Sequence, residues 1–183
     1  MTTTTLPTGL TAGTWTIDAS HSEASFVVRH AGIAKVRGTV AITEGAVVVA
    51  EDGTASVTAT LDPTTVNTGD AGRDGHLKIA DFFEVETYPT WTFTSAAVPV
   101  GASEAEVPGE LTIHGVTKPV VLETEFNGTA TDAYGNLRAG FSATTSIARK
   151  DFGLTWNAAL EAGGVLVSDK VQIALELSTI KQG

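Results

Sequence analysis

Apolar side chains in this chain recur at every second position, in short runs punctuated by Gly, Pro, Asn and Asp. That period belongs to a strand with one face toward a core, because successive strand side chains point to opposite sides of a sheet. Along 25–30, Phe26, Val28 and His30 share one face, and Ser25, Val27 and Arg29 share the other. Trp91 and Phe93 alternate with threonines, and Val171, Ile173, Leu175 and Leu177 alternate with Gln172, Ala174, Glu176 and Ser178. Strands are predicted near 13–18, 23–30, 35–43, 46–50, 54–61, 90–98, 107–114, 118–127, 137–147 and 164–178. Turn residues at Glu51-Asp52-Gly53, Asn127-Gly128 and Tyr134-Gly135-Asn136 join them as antiparallel hairpins. The class is all-β. Periodicity leaves a two-sheet sandwich and a closed barrel open, and closure removes the edges that aggregate.

One segment departs from this rhythm. The stretch from Asp62 to Pro89 is far longer than the usual connection of about four to six residues. Its Leu77, Ile79, Phe82 and Phe83 are too apolar for a tether. Two helical turns are predicted over 74–82, laying Leu77, Phe82 or Phe83 on the body as a flap over one end. Asp74, near the start of those turns, suits the exposed amides there.

At 183 residues the chain makes one domain, expected over 13–183, after a flexible N-terminal tail at 1–12. The net charge of -10 gives no global driving force toward nucleic acid or anionic membrane surfaces. No run approaches the roughly 18 apolar residues of a spanning helix. Cysteine is absent, so disulfides, thiolate metal sites and a cysteine nucleophile are excluded. The N-terminal residues carry neither a basic region nor an apolar stretch of about 7 to 15 residues, and a cytoplasmic location is expected.

The sequence contains no nucleophile elbow, phosphate-binding loop or dinucleotide fingerprint. His21, His30, His76 and His114 show no local metal-ligand spacing, and neither metal nor cofactor is expected. Arg73, Asp74 and His76 juxtapose a cation, a carboxylate and a group titrating near neutrality. A structural reading, with Arg73 paired to a carboxylate, outweighs a catalytic one. The competing reading is a barrel enzyme on an apolar substrate, with His30, His76 and Asp74 as proton-transfer groups; it requires imidazole and carboxylate to converge. Arg149, Lys150 and Asp151 read as a strand-end ion pair. The aromatic residues are spread over strands from both ends of the chain and over the flap, as in the lining of an enclosure. An eight-stranded barrel is just wide enough for one apolar ligand.

Five stretches together resemble the YceI-like family of lipocalin-like, polyisoprenoid-binding barrels. They are Trp15-x-Ile17-Asp18-x-x-His21-Ser22 running into Phe26-x-Val28-x-His30; Arg37-Gly38; Arg73-Asp74-x-His76-Leu77-x-x-x-Asp81-Phe82-Phe83 with Tyr88-Pro89; Gly109-x-Leu111-Thr112-Ile113-x-Gly115-Val116-Thr117-Lys118-Pro119-Val120; and Phe141-x-Ala143 followed by Ile147-x-Arg149-x-Asp151-Phe152-Gly153-Leu154. The resemblance implies an extended antiparallel barrel of about eight strands around a long isoprenoid chain, without catalysis. Within such a barrel, strand faces and the flap put Phe26, Val28, His30, Phe82, Phe83, Phe93, Ile113, Phe141 and Phe152 on the expected wall. A diphosphate or quinone head is expected at the mouth, near Arg73, His76 or Lys78. An apolar strand face left outside the barrel would favour a homodimer.

Overall fold

The computed structural model describes residues 4–183. Its strands are β1 (Gly13–Ile17), β2 (Glu23–His30), β3 (Ala34–Val49), β4 (Thr54–Asn67), β5 (Trp91–Ser95), β6 (Val98–Pro99), β7 (Glu104–Ile113), β8 (Val116–Thr131), β9 (Leu137–Ala148) and β10 (Lys170–Lys181), with one helix, α1 (Ala71–Lys78). Antiparallel pairing runs β3-β2-β10-β9-β8-β7-β5-β4, and β4 pairs back to β3, which closes the ring. Below the end of β2, β1 fills the gap between β3 and β10, with Trp15 opposite both Val47 and Lys181. β1 and β2 are therefore two halves of one stave, and β5 and β6 share another beside β4. The result is a closed eight-stave barrel, which settles the choice against a sandwich.

The structure departs from the predicted elements where side-chain parity changes. The two strands expected at 35–43 and 46–50 are the single strand β3. Its inward residues switch from even (Val40, Ile42) to odd (Val47, Val49) across the register shift at Ile42/Glu44. A bulge adds one residue to one side of a ladder and reverses the alternation, so a period-2 pattern sees two strands. Asn127-Gly128 is likewise not a turn but a bulge inside β8, next to Phe126 opposite Phe141. The last strand begins at Lys170 rather than 164, because 164–169 belongs to a loop that returns over the mouth. Both other expected turns are present.

α1 starts and ends earlier than the predicted 74–82. Asp70, not Asp74, is its N-cap and accepts from the Arg73 N–H at 2.8 Å. Beyond Lys78 the chain turns back on itself: the Phe83 N–H donates to Leu77 O and the Tyr88 N–H to Glu84 O. This folded stretch from α1 to Tyr88 caps one end of the barrel.

At the other end lies part of the expected tail. Residues 1–3 fall outside the described residues, but Leu10 is buried with Trp15, Val47, Val49 and Phe141, and Leu6 packs against the same cluster. Thr4 lies against Gly53 and Gly101, in the two loops of that end. A second cluster, with Val66, Phe82, Phe83, Trp91, Ile113 and Phe152, sits beneath the flap. Between them the inward residues Ile173 and Leu175 are only half-buried and border a cavity, with Leu175 also packed against the clusters around Phe93 and Ile42. Among the described residues no helix is long and apolar enough to cross a membrane.

Candidate functional site

The cavity has a volume of about 380 Å³ and is bordered from Pro7 and Leu10 at the base to Arg73, His76 and Trp156 at the flap end. That falls in the range of about 300–1,000 Å³ typical of small-molecule sites. Each stave contributes its inward alternation. From β2 come Ala24, Phe26, Val28 and His30; from β9 come Phe141, Ala143, Thr145 and Ile147; from β10 come Val171, Ile173, Leu175 and Leu177. Phe93 of β5 and Ile113 of β7 border it as well, and Phe82 and Phe83 descend onto it from the flap. The bore is kept open by small residues and by two glycines over which aromatic rings lie, Phe26 over Gly38 and Phe93 over Gly109.

Charged groups and imidazoles gather at one end only, while Ser25, Ser103, Thr124 and Thr145 lie along the wall. Arg29, His30, Thr68, Arg73, His76 and Arg149 border the mouth. Arg73 does not pair with a carboxylate: its Nε donates to Thr68 Oγ1 at 2.7 Å and its Nη2 to Thr68 O at 2.8 Å. The same Thr68 donates its N–H to Asp74 Oδ1 at 2.9 Å, so one threonine holds both residues. His76 Nε2 lies 2.8 Å from Asp81 Oδ2, and its ring stands edge-on to Phe82 and Trp156. His114, on the β7–β8 turn, reaches Glu84 and the Phe152 carbonyl, each at 3.3 Å, and fastens the outer side of the flap.

Arg149 is the least expected member. It does not pair with Asp151; only 3% of its surface is exposed, and it donates to the carbonyls of Ser168, Leu154, Trp156 and Val167 at 2.9, 2.6, 2.9 and 3.2 Å. Burial pulls its pKa below the ordinary guanidinium value. The four carbonyls lie on both arms of the 153–169 loop, so this one side chain shapes the rim.

Of the eleven residues expected along the wall or at the mouth, ten border the cavity: Phe26, Val28, His30, Arg73, His76, Phe82, Phe83, Phe93, Ile113 and Phe141. Phe152 does not; it is buried outside the bore, in the cluster beneath the flap. Lys78 also stands off the wall. The constellation His30, His76 and Asp74 does not assemble, since Asp74 is engaged by Thr68 and the carboxylate facing His76 is Asp81. Sequence reasoning passes over Arg29 and Leu166 at the mouth and Leu10 at the base, and counts Trp156 only among the aromatics of an enclosure. Trp156 carried a usable signal, a large aromatic in a Gly-bounded loop beside a motif, whereas Leu10 sits in a Thr- and Gly-rich stretch that reads as unstructured.

Residues 15–179 match the family described as YceI-like domain. The chain belongs to the YceI-like family. This YceI-like chain is 35% identical over 161 residues to a UPF0312 protein of Staphylococcus aureus, covering 86% of this chain and 92% of that one. It is 38% identical over 139 residues to protein YceI of Escherichia coli O157:H7, covering 75% and 73%. Among solved structures, BcnA of Burkholderia cenocepacia superposes with a TM-score of 0.75 at 23% identity, covering 88% of this chain and 98% of that chain. A polyisoprenoid binding domain from Saccharophagus degradans, implicated in plant cell wall breakdown, gives 0.69 at 17% identity, covering 92% and 98%. The barrel fold is thus common to this chain and the two solved structures.

Proposed function

We propose that the barrel binds one long apolar molecule of isoprenoid type along its axis, for storage or carriage and without chemical change. The observation that carries this reading is the elongated, largely apolar-walled cavity with charged groups confined to one end. A slender chain fits such a bore, and water within it has few partners. Burial contributes about 0.8 kcal/mol per CH₂, so one isoprene unit contributes about 3 kcal/mol before losses to ordering. A few units reach micromolar affinity. The solved domain from Saccharophagus degradans, described as polyisoprenoid-binding, supports the ligand class. A diphosphate or quinone head would lie among Arg29, Arg73 and His76, where charge meets charge without deep burial.

Native mass spectrometry and organic extraction of the purified protein test this. The expected result is one bound molecule per chain with a polyprenyl tail, and weaker retention in Phe93→Asp, which places a charge on the wall at mid-bore. Protein that carries no such molecule and takes up no polyprenol or quinone offered to it would end the proposal. Equal retention of diphosphate-headed and hydrocarbon ligands in Arg29→Ala/Arg73→Ala would remove the head-group assignment alone.

A further inference from the structure

The flap end has a surface chemistry unlike the rest of the molecule. Three exposed aliphatic side chains stand there on three different segments: Ile33 at 86% exposure on the β2–β3 turn, Ile79 at 54% just after α1, and Val165 at 51% in the 153–169 loop. The segments are joined. The Ala31 N–H donates to Leu166 O at 2.7 Å, His30 bridges Val167, and the α1 residue His76 packs on Trp156. The three tips therefore rim one surface, centred on the mouth of the cavity.

Charge is segregated in the same sense. Nine of the eleven Lys and Arg side chains lie in the flap-end segments 29–37, 67–90, 113–118 and 148–170, with eight of the 21 acidic residues. The remainder of the chain holds two cations and 13 acids, and so carries more than the whole net charge of -10. Among the described residues none of the nine cations has a carboxylate within 4.0 Å, whereas both ion pairs of Arg138 lie in the other half. Five of the eight acids of the flap end have structural partners, whereas Glu86, Asp151 and Glu161 are exposed. Asp70 caps α1, Asp74 holds Thr68, Asp81 faces His76, Glu84 faces His114, and Asp169 accepts from the Lys150 N–H. β8, with 16 residues, runs about 50 Å along its length, several Debye lengths at physiological salt, so the distant acids are screened from whatever the mouth approaches.

We infer that the flap end is a docking face for the surface of an anionic phospholipid bilayer. Ile33, Ile79 and Val165 enter the acyl boundary, while Lys35, Arg73, Lys150 and Lys170 meet lipid phosphates. The acidic base points away, so docking orients the mouth onto the membrane, and an apolar tail passes between bilayer and bore without crossing water. The net charge of the chain hides this face, because an average over the sequence sums two unlike ends. The purpose of docking rests on the apolar-cargo reading above; the docking itself rests on the surface alone.

Co-sedimentation of the full chain with phosphatidylcholine vesicles, with and without phosphatidylglycerol, tests it. Binding is expected to vesicles containing phosphatidylglycerol, to weaken with salt, and to fall by about tenfold or more in Ile33→Asp/Ile79→Asp. Val121→Asp, which charges an exposed aliphatic on the barrel flank, leaves binding unchanged. No binding to either vesicle, equal losses in both variants, or a solution dimer that Ile33→Asp dissociates would overturn the docking face. Cargo is weighed in the same preparations: loss of vesicle binding with cargo retained separates the two sites, and vesicle binding by protein without cargo leaves this inference standing while the ligand proposal falls.

Discussion

Arg149 carries a positive charge in a nearly closed pocket, with no carboxylate within 4.0 Å and four carbonyl oxygens as its partners. A guanidinium suits this role because its donors diverge in a fixed plane and reach both arms of a loop at once. Lysine has one donor centre and cannot span them. Arg149→Lys is therefore expected to cost about 2–4 kcal/mol in chemical unfolding and to speed amide exchange across 154–168, because buried carbonyls are left unpaired. Unchanged exchange in that loop would show that the fork does not hold the rim. The residue was visible in the sequence and its role was not. Asp151 stood two places away and suggested an ion pair, whereas the real partners are backbone carbonyls, which every residue carries and no pattern distinguishes. Arg73 shows the same limit, since its partner is a threonine five residues back.

At the level of elements, the barrel wall works by pairing rings with absent side chains. Phe26 lies opposite Gly38 across the β2–β3 ladder, and its ring occupies the space that a β-carbon at Gly38 would take. Gly38→Val should therefore drive Phe26 into the bore. The expected outcome is a loss of about 1–3 kcal/mol of stability from overpacking, together with a shift of the extracted ligands toward shorter or fewer tails. A variant that is destabilised yet retains the same ligand profile would show that Phe26 moves elsewhere. Uninterrupted strands such as β2, β5 and β9 were legible because their alternation survives from end to end. Eight wall residues follow from that alternation, the flap and the family motifs. β3 and β8 were misread at their bulges, since one inserted residue exchanges the faces. Phe152 was placed on the wall because its motif neighbours are there, but the short helical turn Arg149–Phe152 ends the strand period and directs its ring into the packed cluster.

Taken as a whole, the barrel is fastened where its divided stave breaks. Arg138 of β9 donates to Asp132 at 2.7 Å, to Asp18 at 2.9 Å and to the Ser178 hydroxyl, tying the β8–β9 turn and the break between β1 and β2 to β10. The guanidinium holds both carboxyls well below the usual carboxylate range. A carboxyl with a lowered folded pKa contributes stability at every pH above its unfolded value, about 3.9, and loses it as acid brings the pH down toward the folded value. Thermal unfolding of the native chain should thus fall steeply below about pH 4. In Arg138→Ala the midpoint should be lower at neutral pH and the acid-dependent part of the fall smaller. Parallel pH profiles for the two proteins would refute the linkage. The all-β class was readable from side-chain period alone, and barrel closure was not, because the pairing of β4 with β3 is a contact between staves that no local pattern records.

Leu10 and Pro7, standing across the foot of the cavity, give it a floor. For the proposed cargo a floored sleeve would leave one doorway, so a guest would back out along the path by which it came. Its depth would then serve as a gauge: tails up to that reach would be swallowed whole, and longer ones would leave their remainder protruding at the threshold.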